Sequence, residues 1–330
     1  MAQRAQQIAS HLNFPAGLLA GQVAIMVIRA QEIYILCFFG AVPNLLPGFA
    51  DTNKITGSGQ GIGAECAQLF ANEGCKVVVC DVDSSKSNAV AQAINEASPN
   101  RAISVPGDIT DPNHIPILVK KAAEFGNGKI HIIVNNAGYT WDGVIHKMID
   151  EQWDKILAVH NTAAFKLIRE VAPYFRVRDQ EARNIVNISS TAGIHGNAGQ
   201  ANYSLAKAGL IGLTKTVAKE WGPQASPIFT LYCSSANMTK FGVRANTVAF
   251  GYINTRLTQS KEAGAFYTTP DGQRIALGIP SQKLGNSYKD IPLGRPGTTT
   301  EAANAVLAVC SPLFAYVNGQ TIAVTGGRNM

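Results

Sequence analysis

Tyr203 and Lys207 stand four positions apart in "YSLAK", and Ser190 lies thirteen residues before the tyrosine at the end of "NIVNISS". On a helix, side chains at i and i+4 leave one face, so a phenol and an ammonium can share a ligand. A cation beside a phenol favours the phenolate and pulls its pKa from about 10 toward working pH. Tyr203 is thereby a candidate proton donor and acceptor. Ser190 follows a β-branched run, where its hydroxyl can hold a substrate oxygen beside the phenol. Polar pairs at this spacing also decorate ordinary helices, so the triplet needs corroboration from elsewhere in the chain.

A glycine-rich stretch, "ITGSGQGIG", supplies it. Gly57, Gly61 and Gly63 fall where a strand should hand over to a helix, and glycines there let backbone N–H groups close on a pyrophosphate at the positive end of the helix. Tight turns use glycine for their own reasons, so the stretch alone is a weak signal. Asp81 ends the next apolar run, "VVVCDVD", 24 positions after Gly57, where a carboxylate can accept from ribose hydroxyls. That interval matches a dinucleotide fold.

The elements needed to position these groups are legible as alternating β-branched runs and amphipathic segments from Ile55 onward. Strands are predicted over Lys76 to Cys80, Ala102 to Val105, Ile130 to Asn135, Asn184 to Ile188, Val243 to Ala249 and Thr321 to Val324. Helices are predicted near Gly61 to Asn72, Ser84 to Glu96, Pro112 to Phe125, Glu151 to Phe175, Ala201 to Glu220 and Thr299 to Cys310. The pattern is that of βαβ units, a Rossmann-type α/β fold with a doubly wound parallel sheet of about seven strands in one domain. The stretch from Arg256 to Pro292, rich in Gly, Ser, Thr and Pro, reads as a mobile lid that selects the substrate.

The ordered set "TGSGQGIG" (56 to 63), "GDIT" (107 to 110), "NNAG" (135 to 138), "NISS" (187 to 190), "YSLAK" (203 to 207) and "VRANTVAFGYINT" (243 to 255) resembles the short-chain dehydrogenase/reductase family. The likeness covers Leu19 to Ile25 and nearly everything from Ile55 to Met330. "GNAGQANYSLAKAGLIGLTK" and "PLGRPG" are most similar to the 3-oxoacyl-carrier-protein reductase branch. The resemblance implies catalysis by Ser190, Tyr203 and Lys207, with the lysine also bonding the nicotinamide ribose. It prefers Ser190 over its neighbour Ser189 by the spacing to the tyrosine. It implies a cofactor site of Gly57, Ser58, Gln60, Gly61, Ile62, Gly63, Asp81, Asp108 and Ile109 on the adenosine side. Asn135, Ala137, Gly138, Tyr203, Lys207, Gly251, Ile253 and Thr255 complete it, Asp108 at the adenine edge and Ile253 and Thr255 at the carboxamide. A homotetramer or homodimer paired through the helices from Glu151 and Ala201 is also implied.

Two departures bear on the chemistry. The family carries a helix asparagine that holds a proton-relay water, in a pattern like VNxxxxF, whereas this chain reads "AVHNTAAF". His160 takes the asparagine's place and Asn161 comes one residue later, rotated by about 100° unless a bulge intervenes; Asn161 is the candidate fourth catalytic residue, with His160 the alternative as water ligand or packed side chain. For the cofactor, the branch usually takes NADPH. Asp81, however, would repel a 2'-phosphate, and Gln60 stands where phosphate-preferring relatives place arginine, so NAD(H) is favoured over NADP(H).

A composition of 46% hydrophobic and 15% charged residues is that of a globular chain. Net charge is +6, yet no basic run exceeds Lys120 and Lys121 and no basic stripe interleaves with aromatics, which argues against nucleic acid and suits an anionic small ligand. Cys37, Cys66, Cys75, Cys80, Cys233 and Cys310 form no CxxC pair, so no metal and no disulfide framework is implied. The N-terminus lacks a compact apolar core before a small-residue cleavage site, and a cytoplasmic protein is expected.

Two stretches do not belong to the pattern. Residues 26 to 54 separate "VAI" from "ITGSGQGIG", and residues 224 to 240 separate "KEWGP" from "FGVRAN"; without these 46 residues, 284 remain. Each ends in lysine, whose codon can end in AG, shortly after Ala-Asp or Ala-Asn, codable as GCTGAC or GCTAAC. Those are intron acceptor and branch sequences, so both stretches read as retained introns. An insertion of 29 residues inside a central strand would also interrupt a buried hydrogen-bond ladder. A membrane anchor over Ile33 to Ala50 is the alternative, disfavoured by Pro43, Asn44 and Pro47; a regulatory loop is another.

The expected function is therefore NAD(H)-dependent interconversion of a ketone and a secondary alcohol as small-molecule substrate and product, with a 3-oxoacyl thioester as one candidate. A noncatalytic nucleotide-binding or scaffold protein, or a product disabled by its insertions, is the rival.

Overall fold

The computed structural model describes residues 17–27, 61–179, 181–222, 241–255, 258, 266–268, 274–276 and 288–328. Gly57, Ser58 and Gln60, most of the first expected insertion and all of the second lie outside them.

The chain alternates strands and helices: β1 (Val23–Val27), α1 (Ile62–Asn72), β2 (Lys76–Cys80), α2 (Ser84–Ala97), β3 (Ala102–Ser104), α3 (His114–Phe125) and β4 (Ile132–Asn135) make the first half. The second half is α4 (Asp150–Leu157), a π-helical turn (Ala158–Thr162), α5 (Ala163–Glu170), α6 (Ala172–Phe175), β5 (Arg183–Ser190), α7 (Ala192–His195), α8 (Ala201–Trp221) and β6 (Val243–Phe250), then β7 (Phe266–Thr268), β8 (Arg274–Ala276), α9 (Thr299–Cys310) and β9 (Thr321–Val324).

Seven strands form one sheet in the order β3-β2-β1-β4-β5-β6-β9, every adjacent pair parallel. The order reverses between β1 and β4, which places a crevice at their carboxyl ends, where doubly wound folds bind ligands. Both sheet faces are covered: Ile25, Val27 and Ile133 pack with α3, α5 and α8, while Ala24, Met26 and Val134 pack with α1, α2 and α9. Burial on both faces explains the near-continuous apolar runs of β1, β2 and β4. Helix ends follow local chemistry. Asp83 accepts from the Ser85 and Lys86 N–H groups ahead of α2, and Thr298 with Glu301 forms a capping box on α9.

Two expectations need correction. The strand β1 does not stop at Ile25: Met26 pairs with Val79 and Val134, and Val27 with Cys80 and Asn135, so the first two residues of the expected insertion complete the ladder. The helix expected from Glu151 to Phe175 is divided. It passes through the π turn and ends at Glu170, and α6 begins just before Pro173, whose missing N–H cannot continue a helix. Among its described residues the stretch expected as a mobile lid holds the antiparallel pair β7–β8, with Phe266 opposite Ala276 and Ile275 buried in the core cluster.

Candidate active site

Ser190 is the last residue of β5 and faces the carboxyl edge of the sheet, its hydroxyl oxygen accepting from the Ala192 N–H at 3.2 Å. Its neighbour points the other way: Ser189 is buried and donates from Oγ to the Lys207 carbonyl at 2.8 Å, pinning α8 to β5. Alternation along a strand separates the two serines, and it leaves Ser190 as the one beside the phenol. The short helix α7 then packs so closely on α8 that a Cβ at Gly193 would lie 2.7 Å from the Lys207 Cβ.

On α8 the Lys207 Nζ lies 5.5 Å from the centre of the Tyr203 ring and donates to the Ile188 carbonyl at 2.7 Å. Burial pushes the phenol up to about 12, with the Ser190 hydroxyl pulling it down and the Asp142 carboxylate raising it. Burial also pushes the lysine down to about 7. The expected acidification of Tyr203 counts the positive charge of an oxidised nicotinamide as well as that of Lys207. Among the protein's own groups burial dominates the phenol's shift, and burial favours the neutral form of the amine as well.

A stability consequence follows from the lysine. Its unfolded pKa is about 10.4, so above about pH 7 the unfolded chain binds more protons than the folded one, and stability rises with pH. From about pH 8.5 the buried thiols Cys66, Cys75, Cys80 and Cys310, all raised by burial, act in the opposite direction. In cofactor-free protein the melting temperature should rise between about pH 7 and 8.5, and Lys207→Met should remove that rise. Identical pH profiles for the two proteins would contradict the assignment.

The π turn carries both candidates for the fourth position. Both His160 and Asn161 lie within it, and the wider turn directs them to different neighbours. Asn161, the expected catalytic residue, donates from Nδ2 to the Ala206 carbonyl at 2.8 Å and lies against Gly209 of α8. The ring that meets Tyr203 is that of buried His160, edge to face, with centroids 5.3 Å apart and planes at 82°. His160 also explains Gly138, where a Cβ would come within 1.9 Å of its Cε1.

The crevice beside this cluster is lined by Val27, Asp108, Ile109, Asn135, Ala137 and Val159. Gly61 precedes α1 in extended backbone and the helix start has no side-chain cap, which leaves N–H groups for an anion; Ile62 and Gly63 form that first turn. Asp81 is buried at the end of β2, with Oδ1 accepting from the Asp83 N–H at 2.8 Å. Asp108 accepts from both the N–H and the hydroxyl of Thr110. Asn135 donates to the Asn187 side chain, and Gly251 donates to the Val324 carbonyl. Ile253 and Thr255 follow β6 at the same edge, Ile253 bridging to Gly297 and Thr255 bonded through its N–H to Thr258. Donors at a helix start, carboxylates at two strand ends and an apolar floor suit a nicotinamide dinucleotide.

Sequence reasoning passed over Asn202, wholly buried immediately before Tyr203, and the loop Tyr139 to Gly143 against which it packs. A polar residue at a helix start reads as a solvated cap, and only its burial distinguishes it.

The strand order and the crevice at its switch point are those of a Rossmann-type dinucleotide-binding fold. The family model for short chain dehydrogenases matches residues 52–265, and the chain belongs to that family. It is an oxidoreductase whose cofactor is NAD or NADP. Similar curated proteins include the 3-oxoacyl-[acyl-carrier-protein] reductases FabG of Thermotoga maritima, 33% identical over 83% of this chain and 95% of the relative, and of Escherichia coli, 34% identical over 84% and 96%. An uncharacterized oxidoreductase of Mycobacterium tuberculosis is 34% identical over 84% of this chain and 97% of its own. A crystal structure of a short-chain dehydrogenase/reductase, glucose/ribitol dehydrogenase, from Brucella melitensis shares the fold with a TM-score of 0.67 at 20% identity, over 95% of this chain and 99% of that one. No described helix is long and apolar enough to cross a membrane.

Proposed function

We propose that the protein interconverts a ketone and a secondary alcohol, with Tyr203 as acid and base, Ser190 as anchor of the substrate oxygen and Lys207 as the amine beside them. One observation carries the reading: a half-buried phenol whose pKa the nearby Ser190 hydroxyl pulls down, with a lysine Nζ 5.5 Å from its ring, in the cluster beside the β1/β4 crevice. A bound dinucleotide would supply or accept the hydride. Tyr203 donates its proton to the substrate oxygen in reduction and takes it back in oxidation. The Ser190 hydroxyl holds that oxygen, and Lys207 is the amine beside the phenol that would also hold the ribose of the dinucleotide. The reductases similar to this chain point to 3-oxoacyl thioesters as the first substrates to try. Oxidation of reduced dinucleotide with a panel of ketones and 3-oxoacyl thioesters tests the reading, and binding without turnover across the panel would refute it.

NAD(H) is the proposed form of the cofactor, supported by the Asp81 carboxylate at the end of β2, which opposes a 2'-phosphate dianion. Asp81→Ser should lower the preference for NAD(H) over NADP(H) at least about 10-fold in kcat/KM. An unchanged ratio would show that Asp81 does not read the ribose. Pairing of subunits through α4 and α8 is supported by exposed Trp153, Phe165 and Leu205 on these elements and α5.

The two stretches at 26 to 54 and 224 to 240 are proposed as foreign to the enzyme. Support comes from the glycine run, which begins thirty positions after Val27 although a dinucleotide turn leaves the first strand directly.

A further inference from the structure

The loop leaving β4 is held at two carbonyls by two buried side chains from different elements. His160, in the π turn, donates from Nε2 to the Tyr139 carbonyl at 2.9 Å; a carbonyl only accepts, so this nitrogen carries the proton. Asn202, in the first turn of α8, donates from Nδ2 to the Trp141 carbonyl at 3.1 Å and to the Gln152 carbonyl of α4 at 3.0 Å. Both also touch Tyr203. The His160 ring meets the Tyr203 ring edge to face, and Asn202 Oδ1 accepts the Tyr203 N–H at 2.7 Å. That N–H is one of the donors a helix start leaves without an internal partner, and Gln200 ahead of α8 makes no side-chain cap bond. Relative exposures of 3% and 0% mean that neither side chain can exchange these bonds for water without moving its element.

We propose that His160 and Asn202 are positioning residues that act as one brace, locking Tyr203 to the Tyr139–Trp141 loop so that the phenol stays where substrate must meet it. The brace rests on the reading of Tyr203 as the acid and base. His160 fixes the ring and Asn202 fixes the backbone beneath it, each through the same loop. Loss of either lets loop and helix separate, and loss of the second then removes little more. Lys207 and Asp142, which face the phenol, are untouched by either change, whereas His160→Phe also removes the imidazole that faces it, so the tyrosine titration is decided in the Asn202 variant, where His160 is kept.

The test uses His160→Phe, which keeps a ring but loses the Nε2 hydrogen bond, Asn202→Ala and the double variant, in the full chain. His160→Gln, whose amide reaches toward the same carbonyl, serves as the conservative variant. Each single change should lower kcat about 10²-fold with KM for the dinucleotide within about 2-fold, the double variant should cost little more than the worse single, and His160→Gln should recover most of the loss. A second readout needs no turnover: the 13Cζ tyrosine resonance absent from Tyr203→Phe should stay protonated through about pH 11 in wild type and titrate nearer 10 once the Asn202 side of the brace is cut. Asn202→Ser replaces Asn202→Ala if the latter does not fold. Additive losses, full activity in the single variants, or an unchanged tyrosine titration would overturn the brace. Full turnover in Tyr203→Phe would instead overturn the acid-base reading on which it stands.

Discussion

Tyr203→Phe is expected to lower kcat about 10³-fold while leaving dinucleotide affinity and melting temperature nearly unchanged. The ring itself packs in the core against His160 and beneath Lys207, and phenylalanine keeps that volume. What disappears is one hydroxyl, the only part of the side chain that can exchange a proton with the substrate oxygen. Because this interaction strengthens as charge develops on that oxygen, kcat and kcat/KM should fall together. The side chain is half-buried and loses a single hydroxyl, so any loss of stability stays within about 1 kcal/mol. Stopped-flow or steady-state oxidation of the reduced dinucleotide, with titration of its fluorescence for binding, makes the measurement. Turnover within a few fold of wild type would remove Tyr203 from the chemistry, and with it the role given to Lys207.

The second large effect concerns the first strand. A chain in which Ile25 is followed directly by Ile55, with 224 to 240 also removed, is expected to gain at least about 10²-fold in kcat/KM over the full chain. Positions opposite Val79 and Cys80 on one side and Val134 and Asn135 on the other, now filled by Met26 and Val27, would pass to Ile55 and Thr56. The exchange is conservative in the core: Met26 packs on the face of α1, α2 and α9, and Val27 on the opposite face, where it also lines the crevice. Gly57 would then leave the strand end at once and bring the Gly57–Gly63 turn to the pyrophosphate position above α1. Parallel assays of both forms, together with sequencing of spliced transcript, decide the matter. Equal activity in the two forms, or mature transcript carrying both stretches, would show that they belong to the enzyme.

Much of this protein is written locally. β2 and the long α8 come within a residue of their sequence-based bounds because strand and helix periods, and the glycine and capping signals at their ends, act over a few residues. The order of the motifs carried the family, and with it the neighbourhood of Ser190, Tyr203 and Lys207. Other features depend on partners far along the chain. Nothing near Met26 says that it continues β1, since that is settled by β2 and β4 offering register positions on either side. The assignments of His160 and Asn161 follow from a π turn whose packing is decided by Tyr139, Tyr203 and α8. Asn202 looks like a surface cap until α4 and the β4 loop close over it. The direction of the Tyr203 and Lys207 shifts reverses the simple charge argument, because spacing specifies which groups are neighbours whereas the folded core specifies how much water they lose.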